Sequence, residues 1–109
     1  MTVGETILQQ LGGNKFVAMT GSSHFTNIEN GLFFKIVKNK SKANYCEITL
    51  NGFDLYDVKF RKIVEPKFNL KTGKMREYSN EIIKEYDNVY FDMLQDLFTQ
   101  TTGLHTRLF

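Results

Sequence analysis

The spacing of apolar residues along this chain shifts between helical and strand periods, and each shift predicts an element. Val3, Ile7, Leu8 and Leu11 fall on one helical face, Thr2 and Glu5 form a capping pair, and Gly12-Gly13 ends the run, so a short amphipathic helix is expected over 2–12. Phe16-Val17-Ala18-Met19-Thr20 reads as a strand, Gly21-Ser22-Ser23-His24 as a polar loop, and Asn30-Gly31 as a turn. Leu32 to Lys38 and Tyr45 to Leu50 alternate in the strand manner. The short polar stretch between them leaves no room for a crossover, so they should pair antiparallel. A third run, Leu55 to Val64, is closed by Pro66, which lacks a ladder donor.

Beyond a turn at Lys71-Thr72-Gly73-Lys74, Met75 through Tyr86 is expected to form another hairpin arm, with a helix starting at Ser79 as the competing reading. From Val89 the period becomes helical, placing Tyr90, Leu94, Leu97, Phe98 and Thr101 on one face; Asp87 or Asn88 can cap it, and Gly103-Leu104 matches a left-handed C-terminal stop. Strands cluster between terminal helices without βαβ alternation. The expected class is therefore α+β, a mostly antiparallel meander with a short N-terminal helix and a C-terminal helix packed on one face. At 109 residues, a single domain spanning 1–109 is expected.

The net charge of +2 conceals a strong asymmetry. Residues 1–34 carry one lysine against two glutamates. Residues 35–76 carry eleven basic groups against four acidic ones, and residues 77–109 carry two basic against six acidic. The meander is thus basic and the C-terminal region acidic. Strand parity sharpens this picture: Leu32, Phe34, Ile36, Cys46, Ile48, Leu50, Tyr56, Val58 and Phe60 form an apolar set, so the opposite face should carry Phe33, Lys35, Tyr45, Lys59 and Arg61 together. Rings that stack on bases and cations that neutralise phosphates are the equipment of a nucleic-acid surface, and Lys38, Lys40 and Lys42 in the following hairpin tip would extend it.

Catalytic chemistry has little support. Cys46 falls on the apolar parity and reads as a small buried hydrophobe rather than as a nucleophile served by His24 or His105. The Thr20-to-His24 loop lacks the spacing of a phosphate-binding loop. Asp92 and Asp96 suit a helix start and a solvated face, while Asp54 and Asp57 flank a strand. No metal-ligand pattern is present, and neither cofactor nor enzymatic activity is expected. The single thiol and an N-terminus without signal-peptide character point to the cytoplasm and away from membranes.

Three strings taken together, Leu11-Gly12-Gly13-Asn14-Lys15-Phe16-Val17-Ala18-Met19-Thr20-Gly21, Ile48-Thr49-Leu50-Asn51 with Asp54, Tyr56, Val58 and Phe60, and Phe98-Thr99-Gln100-Thr101-Thr102-Gly103-Leu104, carry a resemblance. In them the chain resembles small uncharacterised proteins encoded by bacteriophages and prophages. The likeness runs along nearly the whole chain, with the segment Lys67 to Asn80 longer than in those proteins. It implies expression inside a bacterial host and carries no site residues. The expected function is a non-enzymatic binding protein that contacts nucleic acid, or a nucleic-acid-bound host complex, through Phe33, Lys35, Lys38, Lys40, Lys42, Tyr45, Lys59 and Arg61. The alternative is a protein-interaction or self-assembling module, inhibitors of host proteins included, in which the basic meander of one copy meets the acidic C-terminal helix of another.

Overall fold

The computed structural model describes residues 2–106. Three helices, α1 (Val3–Leu11), α2 (Asn14–Thr20) and α3 (Leu94–Thr102), accompany seven strands: β1 (Ser23–Ile28), β2 (Gly31–Lys35), β3 (Tyr45–Leu50), β4 (Tyr56–Val64), β5 (Lys67–Asn69), β6 (Lys74–Arg76) and β7 (Ser79–Val89). The main sheet has the order β1-β2-β3-β4-β7 and is antiparallel throughout; β5 and β6 form a separate two-stranded hairpin inserted between β4 and β7. The class is α+β, with the helices on one face of an antiparallel sheet, as the clustering of strands predicts.

α1 begins where Thr2 accepts the Glu5 amide at 3.1 Å and ends at Gly12, whose φ of 126° a side-chain-bearing residue would rarely adopt. The helix lies close on the β1–β2 hairpin because Gly4 has no Cβ: one built there would sit 2.9 Å from the Gly31 carbonyl oxygen. Ile7 and Leu11 are thereby driven into the core.

Residues 16–20 are helical rather than extended. Phe16 and Thr20 are both buried while Ala18 between them is exposed, a pattern that fits a helix and not the two-residue alternation of a strand; the Thr20 hydroxyl donates back to the Phe16 carbonyl at 2.8 Å. The aromatic and β-branched content that suggests a strand is overridden by this shared burial. The predicted loop at 21–24 also gives way in part, since β1 starts at Ser23 and pairs with β2 as an edge strand. Its register is broken between Ser23 and Thr26, where His24 adopts a φ of 55°.

Parity along β2, β3 and β4 is as the pattern predicts. Leu32, Phe34, Cys46, Ile48, Tyr56, Val58 and Phe60 are all buried beneath the helices. β2 ends at Lys35, short of the expected Lys38, because Asn39 folds the connection: its side-chain amide donates to the carbonyls of Val37 and Ala43 at 2.7 and 2.8 Å. The core closes around Phe98 of α3, whose ring centroid lies 5.0 Å from Phe16, 6.2 Å from Phe34 and 6.1 Å from Phe60.

The competing helix from Ser79 is not formed; β7 runs as an eleven-residue strand to Val89. α3 starts later than the period suggests. Tyr90 is extended and exposed, a 3-10 turn occupies Phe91–Met93, and neither Asp87 nor Asn88 caps the helix. Asn88 instead takes a φ of 56° at a bulge and donates its amide to Asp57, an acceptor provided by the neighbouring strand. The C-terminal stop at Gly103 has the left-handed φ of 79° expected of it.

β3 pairs with β4 only as far as Arg61, so beyond that point β4 and β7 continue as a two-stranded ribbon and then turn through Glu65-Pro66 into the β5–β6 tip. This arm lengthens the molecule to 48 × 33 × 23 Å. Residues 65–85 are exposed throughout. The core and the arm should therefore respond separately to mutation: Phe98→Ala is expected to lower urea stability by about 3–5 kcal/mol, whereas replacing residues 66–77 by Asn-Gly should leave it within about 0.5 kcal/mol.

Candidate nucleic-acid interface

The outward face of the sheet is built from cross-strand rows. Lys35, Tyr45 and Arg61 lie opposite one another on β2, β3 and β4; Phe33, Glu47, Lys59 and Glu85 form the next row across β2, β3, β4 and β7. The five residues expected on this face are thus brought together. Phe33 and Tyr45 stack on each other, with centroids 5.0 Å apart and planes 12° from parallel. Each ring gives one side to the other.

The same alternation that turns the cations outward also turns out Glu47, Asp57 and Glu85. Glu47 lies 3.6 Å from the Arg61 guanidinium, and Lys59 sits between Glu47 and Glu85 in register. The middle of the face is consequently charge-balanced, and Arg61 is further held by Asn80, whose side-chain oxygen accepts from it at 3.3 Å. Lys35, at the exposed margin of the row, has no such partner among the described residues.

The three loop lysines do not extend this face as a group. The amide of Lys40 donates to the Thr102 carbonyl at 3.2 Å, and its aliphatic stem lies against Gly103, which places it at the C-terminal end of α3 in the helical layer. A cation there is favoured by the unpaired carbonyls of the helix end. Lys38 and Lys42 are exposed in the same connection, where Lys42 adopts a φ of 68°.

A stronger concentration of uncompensated charge lies on the arm. In the β5–β6 hairpin Lys67 opposes Arg76, Phe68 opposes Met75 and Asn69 opposes Lys74, so alternation gives the ribbon one cationic side and one apolar side. Among the described residues no carboxylate lies within ion-pair reach of Lys67, Lys74 or Arg76. The Arg76 side chain donates to the Glu65 carbonyl at 3.3 Å, tying the tip to the end of β4. Between them the arm and the sheet form a cleft of about 350 Å³ whose walls include Lys35, Asn44, Tyr45, Ile63 and Arg76, with Glu65 as its one carboxylate. The arm's cations were visible in the charge count, but assigning them to one side requires the hairpin register.

The groups considered for catalysis occupy separate settings. Cys46 is fully buried in the core, and burial pushes its thiol above the ordinary value. Ser22 is buried against Thr20 at 2.8 Å, whereas Ser23 and His24 pair with each other at 2.9 Å on the exposed edge. Among the described residues no three His, Cys, Asp or Glu side chains gather as metal ligands. No described helix is long and apolar enough to cross a membrane. Comparison with family models, curated proteins and solved structures finds no match to this chain.

The buried thiol and the Tyr56 phenol, also raised by burial, have a consequence for alkaline stability. Both keep their protons in the folded state at pH values where the unfolded chain has begun to lose them. Their contribution is therefore complete below the ordinary thiol value of 9.0 and is lost progressively as pH rises from there towards the folded-state values. Urea denaturation across this range should show stability falling above pH 9, with a shallower slope in Cys46→Ala.

Proposed function

We propose that this chain binds nucleic acid through its phosphate backbone, with the hairpin arm as the leading contact and the Lys35–Tyr45–Arg61 margin of the sheet as its base. The observation that carries this reading is the unpaired cationic side of the ribbon formed by Lys67, Lys74 and Arg76. Lys67 and Arg76 stand directly opposite each other, an arrangement that is unfavourable without a neighbouring anion. A phosphate supplies that anion. A two-stranded ribbon also has the width to enter a nucleic-acid major groove.

From the ribbon, Arg76 leads into the cleft whose far wall carries Lys35 and Tyr45, so a strand lying along the arm would continue onto the sheet. The mutual stacking of Phe33 and Tyr45 leaves less ring surface for unpaired bases, which favours backbone contacts over base stacking as the main source of affinity. The protein acts here as a binder without chemistry of its own. In the infected bacterial cell that the resemblance to phage proteins implies, the nucleic acid would be met free or within a host complex.

Fluorescence anisotropy with a short duplex and a single-stranded DNA tests this reading. Binding is expected at low ionic strength and should weaken steeply with added salt. Joint replacement of Lys67, Lys74 and Arg76 by Glu should reduce affinity at least about tenfold and flatten the logarithmic salt dependence by about 0.9 for each duplex phosphate that is no longer neutralised. Lys38→Glu with Lys42→Glu should change little. Absence of binding to both probes at low salt, or indifference to the triple replacement, overturns the proposal.

A further inference from the structure

The cationic side of the arm leaves its other side unexplained. Phe68 and Met75 face the same way across the β5–β6 hairpin, Leu70 beside them is 88% exposed, and with the neighbouring Lys67, Lys71, Lys74 and Arg76 they line an open concavity of about 780 Å³. A two-stranded hairpin gains little stability by itself in water, and a cluster of exposed apolar side chains on a projecting element marks a contact surface.

A second exposed apolar cluster lies at the opposite end of the β4–β7 ladder. There Tyr56 pairs with Val89, the β3–β4 turn carries Phe53 at 79% exposure, and the 3-10 turn presents Phe91 at 60% and Met93 at 53%. Asn51 of the β3–β4 turn donates to Asn88 at 2.8 Å, so the two segments share this end of the molecule. The charges of the two clusters are opposite. Residues 66–76 contain Lys67, Lys71, Lys74 and Arg76 and no acidic residue, whereas residues 50–58 and 86–94 contain Asp54, Asp57, Asp87 and Asp92 and no lysine or arginine.

We propose that the apolar side of the hairpin tip of one copy docks on the acidic, apolar Phe53–Phe91 end of a second copy, so that the protein associates head to tail. The occupant follows from charge and shape together. Both clusters present apolar groups, and each carries the charge that the other lacks. The nine residues of β4 separate them by about 30 Å of extended ladder, which keeps an arm from reaching its own far end. Because the two surfaces differ, the contact is heterologous, and each added copy leaves one free tip and one free end for the next. The cations of the tip serve both contacts, so association and nucleic-acid binding draw on the same Lys67, Lys74 and Arg76.

Light scattering and sedimentation of nuclease-treated protein test the proposal in the absence of nucleic acid. The average mass should rise above the 12.7 kDa of one chain as concentration increases, and should fall back as salt is added. A tip-blocked variant, Leu70→Asp with Met75→Asp, and an end-blocked variant, Phe91→Lys with Asp92→Lys, change only exposed positions, and circular dichroism should confirm their folding. Each alone should lose assembly, and an equal mixture should give a species of two chains, because one intact tip meets one intact end. Asp92→Lys alone, which leaves every apolar group in place, should weaken assembly at least about tenfold, a loss of about 1.4 kcal/mol. A concentration-independent monomer at low salt, continued assembly of either blocked variant, or a mixture that stays monomeric would each overturn the proposal.

Discussion

Phe98 is the contact on which the rest of the molecule depends. It is the residue of α3 that reaches the rings of Phe34 and Phe60 on the sheet and that of Phe16 on α2, so one side chain ties the C-terminal helix, the N-terminal helical layer and the meander together. With a single buried thiol and no disulfide among the described residues, the chain relies on this apolar contact for its closure. Edge-to-face and tilted ring geometries add a directional preference to the area that these rings remove from water. The direction of α3 is set by that cluster, and the Gly103 stop then delivers the helix end to the β2–β3 connection, where the Lys40 amide meets the Thr102 carbonyl.

Closing the core on one face of the sheet leaves the other face to solvent. That face is less positive than its cations alone suggest, because a register that aligns Lys59 with Glu47 and Glu85 neutralises charge across neighbouring strands. Surface ion pairs of this kind contribute little to stability, yet they do remove the long-range field an anionic partner would sense. Charge without a local counterpart is found instead where the sheet narrows to two strands. There, no third strand is present to supply acidic neighbours, so the cations of the β5–β6 hairpin remain uncompensated by carboxylates among the described residues.

The arm also divides the molecule by stability and role. Its backbone is satisfied by the hairpin ladder and by small polar bridges, such as the Lys71 amide to the Asn69 side chain at 2.9 Å, while its side chains bury almost nothing. An element of this kind is free to specialise in contact, since changes in it do not propagate through the packed core. The opposite end of the ladder is tighter, with Asp57 accepting from both Asn51 and Asn88, yet it too presents apolar groups outward. The proposed contacts and the packed core therefore draw on different residues in this chain.

Local chemistry alone specified much of the architecture. Alternation along Leu32–Ile36, Tyr45–Leu50 and Tyr56–Phe60 dictates which side chains point inward, since a period of two admits only one buried set. Thr2, Gly12 and Gly103 mark helix boundaries through backbone preferences that need no distant partner. Other features were legible only after packing. Residues 16–20 are helical because Phe16 and Thr20 enter the core while Ala18 stays outside it, and α3 starts late because Asn88 is recruited by Asp57, thirty-one positions away. The charge balance of the outward face and the two-sided character of the arm belong to this second group. Both depend on which residues stand opposite across strands, and cross-strand register is a relation between segments that no single stretch of chain contains.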